Sequence, residues 1–167
     1  MVEKGVIVLP RLFACLLLFV LVALSGCQQE PEIKTIPDPA PEQTKSQQEQ
    51  GIEIQLQKDV YNGIPDRMRV ILNNKSDREY TYGEFYQLER KIKEKWHIVV
   101  YSDAVFYENP SFKNYGSSFL PGETVTQSYS PKKLGLDIPP GEYRLVKTFL
   151  HESPSYQVTV AVPFRVE

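Results

Sequence analysis

Few side chains in this chain could do covalent or acid–base chemistry. The 167 residues hold two cysteines, Cys15 and Cys27, and two histidines, His97 and His151, beside 21 aspartates and glutamates. A Ser-His-Asp hydrolase would place its serine on a nucleophile elbow, and neither histidine has such a partner sequence. A metal centre would add carboxylates or thiolates to a histidine at ligand spacing, and no such spacing occurs. The expectation is a protein that is not an enzyme, with no catalytic residues, no metal site and no cofactor. Cys27 is different. It follows two small residues, Ser25 and Gly26, directly after an apolar run.

The elements around Cys27 explain that spacing. Residues 1–11 carry Lys4 and Arg11 against Glu3, a short basic leader, and residues 12–24 are apolar without a break. Thirteen helical residues span about 20 Å, whereas a bilayer core needs roughly 20 residues. The run is therefore a signal-peptide core rather than a permanent span. Leu24-Ser25-Gly26-Cys27 resembles the lipobox of bacterial lipoproteins at all four positions. The resemblance implies a diacylglycerol thioether on Cys27, cleavage before it, and a chain held on the exported side of the cell membrane by its lipid. Two acyl chains suffice for stable anchoring where one does not.

Removing residues 1–26 takes away Lys4, Arg11 and Glu3 and moves the formal charge from −2 to −3. That balance excludes a general nucleic-acid binder, which needs a basic surface. With Cys15 gone and Cys27 lipidated no thiol remains, so disulfides, thiolate metals and cysteine catalysis are excluded together. Residues 28–50 are rich in Gln, Glu and Pro, including Pro31, Pro37, Pro39 and Pro41. With Cys27 they read as a disordered linker, 27–50, spanning roughly 25–30 Å as a coil.

From residue 51 the pattern has period two. Ile52, Ile54 and Leu56 alternate with polar residues; Met68, Val70 and Leu72 repeat this after a turn at 61–66. Residues 80–90 read as a third strand, with Tyr82, Glu84, Tyr86 and Leu88 on one face. After a charged tip, Trp96, Ile98 and Val100 begin the return, with His97 on the opposite, outer side. Residues 102–120 are irregular apart from a short strand at 104–106. Strands follow at 123–130, 142–149 and 156–166, and Pro163 marks an edge in the last. The fold class is all-β: an antiparallel sandwich of seven to eight strands over 51–167, with Greek-key links. Trp96 is expected as the core indole and Tyr143, after Pro140-Gly141-Glu142, as a tyrosine corner. Glu84 and Lys147 fall on neighbouring strands and either approach within about 6 Å, since pairing relieves the burial of either charge, or snorkel independently to solvent.

The blocks Val70-Ile71-Leu72-Asn73-Asn74, Gly83–Glu89, Trp96, Leu120-Pro121-Gly122-Glu123 and Pro140–Lys147 together resemble a bacterial immunoglobulin-like domain family. The resemblance implies a sandwich and no known activity. A more distant likeness is to a bacterial intracellular proteinase inhibitor family, which shares the Leu-Pro-Gly-Glu turn and the Pro-Gly-x-Tyr strand. The functional expectation is a membrane-anchored module for protein–protein or cell-envelope interaction, its protein or cell-wall partner unknown. Two further readings are cell-wall carbohydrate binding through the aromatics of 101–120 (Tyr101, Tyr107, Phe112, Tyr115 and Phe119), rings that would otherwise cover the end of the sandwich, and inhibition of an extracellular protease.

Overall fold

A computed structural model describes residues 33–102 and 116–167. Cys15, Cys27 and its lipobox, the strand expected at 104–106, and Tyr107, Phe112 and Tyr115 lie outside the described residues. The strands are β1 (Gln48–Glu49), β2 (Ile52–Leu56), β3 (Val60–Tyr61), β4 (Met68–Asn74), β5 (Tyr80–Tyr82), β6 (Gln87–Ile92), β7 (Lys95–Ile98), β8 (Ser117–Phe119), β9 (Thr124–Tyr129), β10 (Gly141–Glu152) and β11 (Ser155–Val166), with one 3₁₀ turn at Lys132–Leu134. They form two sheets. One runs β1-β2-β4-β9; the other runs β3-β11-β10-β5-β8, with β6 also paired to β10 and β7 to β6.

The alternation read from the sequence points inward as period two requires. Ile52, Ile54, Met68, Val70 and Leu72 of the first sheet face Leu145, Phe149, Val158, Val160, Val162 and Phe164 of the second, all buried. The β10–β11 hairpin pairs twelve residues without a slip, from Gly141–Val166 to Glu152–Ser155. His151 is thus inside a strand, opposite Tyr156, rather than at the start of a turn. The strand expected over 80–90 is broken. Between the Thr81–Leu150 and Gln87–Val146 pairings, residues 82–86 stand against residues 147–149, so two extra residues leave the ladder.

The largest departure from expectation lies before residue 51. The linker read as disordered is, over 33–50, a strap bound to the domain. It first runs beside β7: Ile36 N–H donates to Ile98 O at 2.8 Å, Ala40 N–H to Trp96 O at 2.7 Å, and Val100 N–H to Lys34 O at 2.9 Å. Ala161 N–H, on β11, then donates to Ser46 O at 2.9 Å, and the strap enters the other sheet as β1. Ile33 and Ala40 are buried. Composition suggested too few apolar groups to order this segment. What orders it is backbone hydrogen bonding to a sheet edge, which any non-proline residue supplies. The strap also covers the edge strand β7, which would otherwise invite pairing with other chains. Because the strap lies on the sheet's outer side, residues 143–147 of β10 are buried on both faces.

Candidate functional site

The strap is held by a buried ionic network on the outer face of the larger sheet. Arg144 on β10 and Glu89 on β6 are register partners. Arg144 Nε donates to Glu89 Oε2 at 2.7 Å, while Nη1 and Nη2 donate to the strap carbonyls of Gln43 and Glu42, each at 2.8 Å. Lys45 Nζ from the strap reaches Glu89 Oε1 at 3.2 Å, and Gln87 Nε2 donates to the same oxygen at 2.7 Å. Glu89 is fully buried and Arg144 is 4% exposed. Both oxygens of the carboxylate and most of the guanidinium fork are used, which is what a buried charge pair needs to be tolerated.

Trp96 stands on this network. Arg144 Cζ lies 4.6 Å from its ring centroid, a cation–π contact. The indole is half-buried rather than in the core. Trp96 pairs with Lys91 and Ile98 with Glu89, so Trp96 and Ile98 share the outer face. His97 pairs with Arg90, which pairs with Tyr143, so His97 takes the core-side face near the sheet's end. The expected facing of β7 is therefore reversed. The physical reason is the strap: it makes the outer face a second covered surface, and alternation alone does not tell two covered faces apart.

Next to Trp96 the outer face opens into a trough of about 390 Å³ lined by Asp59, Val60, Trp96, Glu142, Tyr143, Pro163, Phe164 and Arg165. Its floor is a register row: Glu142 pairs with Arg165, and Arg165 with Val60. Lys91 Nζ holds Glu142 at 3.2 Å and Arg165 holds Glu167 at 2.7 Å.

The other residues singled out in the sequence are placed as follows. Tyr143 donates its hydroxyl to Pro139 O at 2.6 Å, the bond that defines a tyrosine corner, and burial pushes its pKa up to about 12. Glu84 and Lys147 do not pair. The extra residues at 82–86 turn Glu84 to solvent. Lys147, 2% exposed, donates instead to the carbonyls of Gly83 and Phe85 and lies 4.2 Å from the Tyr86 ring centroid. Burial draws its pKa down to about 7, against the pull of Glu84. Phe119 is not on a ligand loop. It is fully buried and stacked on Phe149 at 5.4 Å. Tyr101 also points inward, its hydroxyl on Tyr86 O at 2.9 Å. The loop platform for carbohydrate thus loses both of its described rings to the interior.

His97 Nδ1 meets Ile36 O at 3.2 Å; His151 meets Glu79 O at 2.8 Å and Ser153 O at 3.0 Å. Among the described residues no group of three or more His, Cys, Asp or Glu could hold a metal ion, and no helix is long and apolar enough to cross a membrane. Reasoning from sequence missed Glu89, Arg144 and Lys45. Alternation gave no signal for them: Glu89 has Gln87 and Lys91 beside it on its face, and Arg144 has Glu142 and Thr148, so both read as part of a solvated side.

A structure of a novel β-glucosidase from Erythrobacter marinus aligns with 18% identity over 70% of this chain and 15% of that chain, with a TM-score of 0.36. That likeness bears on neither fold nor activity. A comparison with curated proteins returns no match. The family model of the bacterial Ig-like domain matches residues 48–165, from β1 almost to the end of β11, and the chain belongs to that family.

Proposed function

We propose that this chain is a lipid-anchored, non-catalytic lipoprotein that displays its Ig-like domain for protein–protein or cell-envelope interaction. The observation that carries the reading is how the polar groups are used. Both histidines, Lys147 and Arg144 are bonded to backbone carbonyls, and Glu89 is closed by three side chains. Two hollows bear on the reading. One, of about 300 Å³, holds His151 beside Glu79, Glu152, Thr81, Ser118 and Ser153, but both ring nitrogens there face the carbonyls of Glu79 and Ser153 rather than a hydroxyl or carboxylate. The other is the rimmed trough beside Trp96, an arrangement for holding a partner. Membership of the Ig-like family supports an interaction role, and Leu24-Ser25-Gly26-Cys27 supports the anchor.

The anchor is tested by fractionating cells that express the native chain or Cys27→Ala. The native chain partitions with membranes and incorporates labelled fatty acid; Cys27→Ala is released and keeps its thermal transition. Equal partitioning of the two forms refutes lipidation at Cys27. The interaction role is tested by crosslinking on intact cells followed by mass spectrometry of the Ig-like domain's adducts. Measured turnover of a substrate by the purified chain would refute the non-catalytic reading.

A further inference from the structure

The trough has the composition of a ligand site and a shape that selects the ligand. Its volume, about 390 Å³, lies within the usual range for small-molecule pockets, about 300–1,000 Å³. Trp96 is the chain's single tryptophan, and it is spent outside the core, where a large aromatic contributes least to folding. The indole is held in place from behind. Arg144 stacks on the ring, and the main chain beneath it is fixed on both sides: Gln43 Oε1 accepts the backbone N–H of Trp96 at 2.8 Å, and Trp96 O accepts from Ala40 N–H and Gln43 Nε2. A ring immobilised before binding loses little entropy on contact.

The rim carries both signs. Asp59 and Glu142 offer carboxylate oxygens, Glu142 while paired with Lys91 at 3.2 Å, and Arg165, paired with Glu167 at 2.7 Å, offers the remaining N–H groups of its guanidinium. A flat apolar ring beside alternating donors and acceptors matches a pyranose, which has a C–H face and a girdle of hydroxyls. The mixed charge gives no field to attract a polyanion. Exposed apolar surface is limited to Val60, Pro163 and the indole, short of the row of anchors that a peptide strand or helix requires.

We propose that this trough is a saccharide-binding subsite, with Trp96 stacking on one sugar ring and Asp59, Glu142 and Arg165 binding its hydroxyls. The inference deepens the interaction reading by naming the ligand class, and it rests on that reading for its setting in the cell envelope, though not on the lipid.

The single tryptophan makes the test direct, because tryptophan emission of the full chain in detergent reports this trough alone. The probes are glucose, N-acetylglucosamine, their β-linked oligomers and soluble peptidoglycan fragments. The expected result is a saturable shift in Trp96 emission for at least one of them, with half-saturation on the order of 1 mM or tighter. Glu142→Gln and Arg165→Met keep the fluorophore and raise half-saturation about tenfold; Arg78→Met, away from the trough, leaves it unchanged. Trp96→Ala, with folding checked by circular dichroism, loses co-sedimentation with insoluble cell-wall glycan. The proposal is overturned if no saccharide shifts the emission, if only unrelated peptides do, or if the rim variants bind like the native chain. Cys27→Ala in the same titration separates the two readings: binding retained with membrane release refused would defeat the anchor alone.

Discussion

Replacing Arg144 by methionine tests whether the strap is held by the buried network or merely lies over it. Methionine keeps most of the side-chain volume and removes the charge. Two groups lose their partner at once, Glu89 Oε2 and the Gln43 carbonyl, and the Glu42 carbonyl keeps only Lys45 Nζ at 2.8 Å. Glu89 is fully buried, and removing one member of a buried pair costs about 3–5 kcal/mol. Lys45 and Gln87 still bond to Glu89 Oε1, which places the expected loss at the lower end, about 3 kcal/mol. The two strap carbonyls regain water if the strap lifts, so the cost is expressed locally as well as globally. Urea unfolding followed by Trp96 emission and circular dichroism measures the global part. Amide exchange of Ile36 and Ala40, which are bonded to β7, measures the local part and should accelerate more than that of β2 and β4. The triple change Arg144→Met, Glu89→Leu and Lys45→Met should recover most of the stability, because it removes the charges of the network together; Lys45, its side chain 6% exposed, would otherwise lose Glu89. A loss below about 1 kcal/mol for Arg144→Met, or exchange at Ile36 and Ala40 no faster than in the native chain, would refute the latch.

Lys147 makes stability depend on pH. Burial lowers its folded pKa from 10.5 to about 7, so below about 7 both folded and unfolded chains carry the proton and the burial cost is felt in full. Between about 7 and 10.5 only the unfolded chain keeps the proton, and stability rises with pH. Urea midpoints from pH 6.5 to 9.5 should show this rise, and Lys147→Met should flatten it; Tyr101 and Tyr143, both pushed up to about 12 by burial, oppose the trend only above about pH 10. Tyr143→Phe leaves Pro139 O without its donor and should lower stability by about 1–2 kcal/mol, read from the thermal or urea transition. Gly51→Ala should destabilise by about 1–3 kcal/mol, since φ is +82° and the added Cβ would meet Ser76 Cβ at 2.8 Å and Ser76 N at 2.9 Å. Were Cys27 lipidated as proposed, the strap would shorten the leash. Five residues separate Cys27 from Ile33, at most about 20 Å of chain, so a dye on the domain of the lipidated protein should transfer energy to a membrane dye far more strongly than a 23-residue spacer would allow.

How much was legible before the coordinates depended on how local the cause was. Ile52, Ile54, Val70, Leu72 and the valines of β11 were readable because one buried face imposes a period of two on the residues themselves. Tyr143 was readable because the corner bond spans only four residues, to Pro139. Trp96 was misread because its alternation with His97 was real while the identity of the covered face was not local. Glu84 was misread for a related reason: the two extra residues at 82–86 are invisible until β5 and β6 pair with β10.

The sequence by itself determined the all-β class, the inner faces of the long strands and the absence of any thiol after Cys27. These follow from composition and from short-range periodicity, which folding does not alter. Only the tertiary structure decided that residues 33–50 form a strap, that Glu89 and Arg144 are partners 55 residues apart, and that Trp96 borders an open trough. Each depends on a register or an edge contact between distant segments, and backbone hydrogen bonds carry no side-chain signature by which a polar, proline-rich segment could announce its place on a sheet edge.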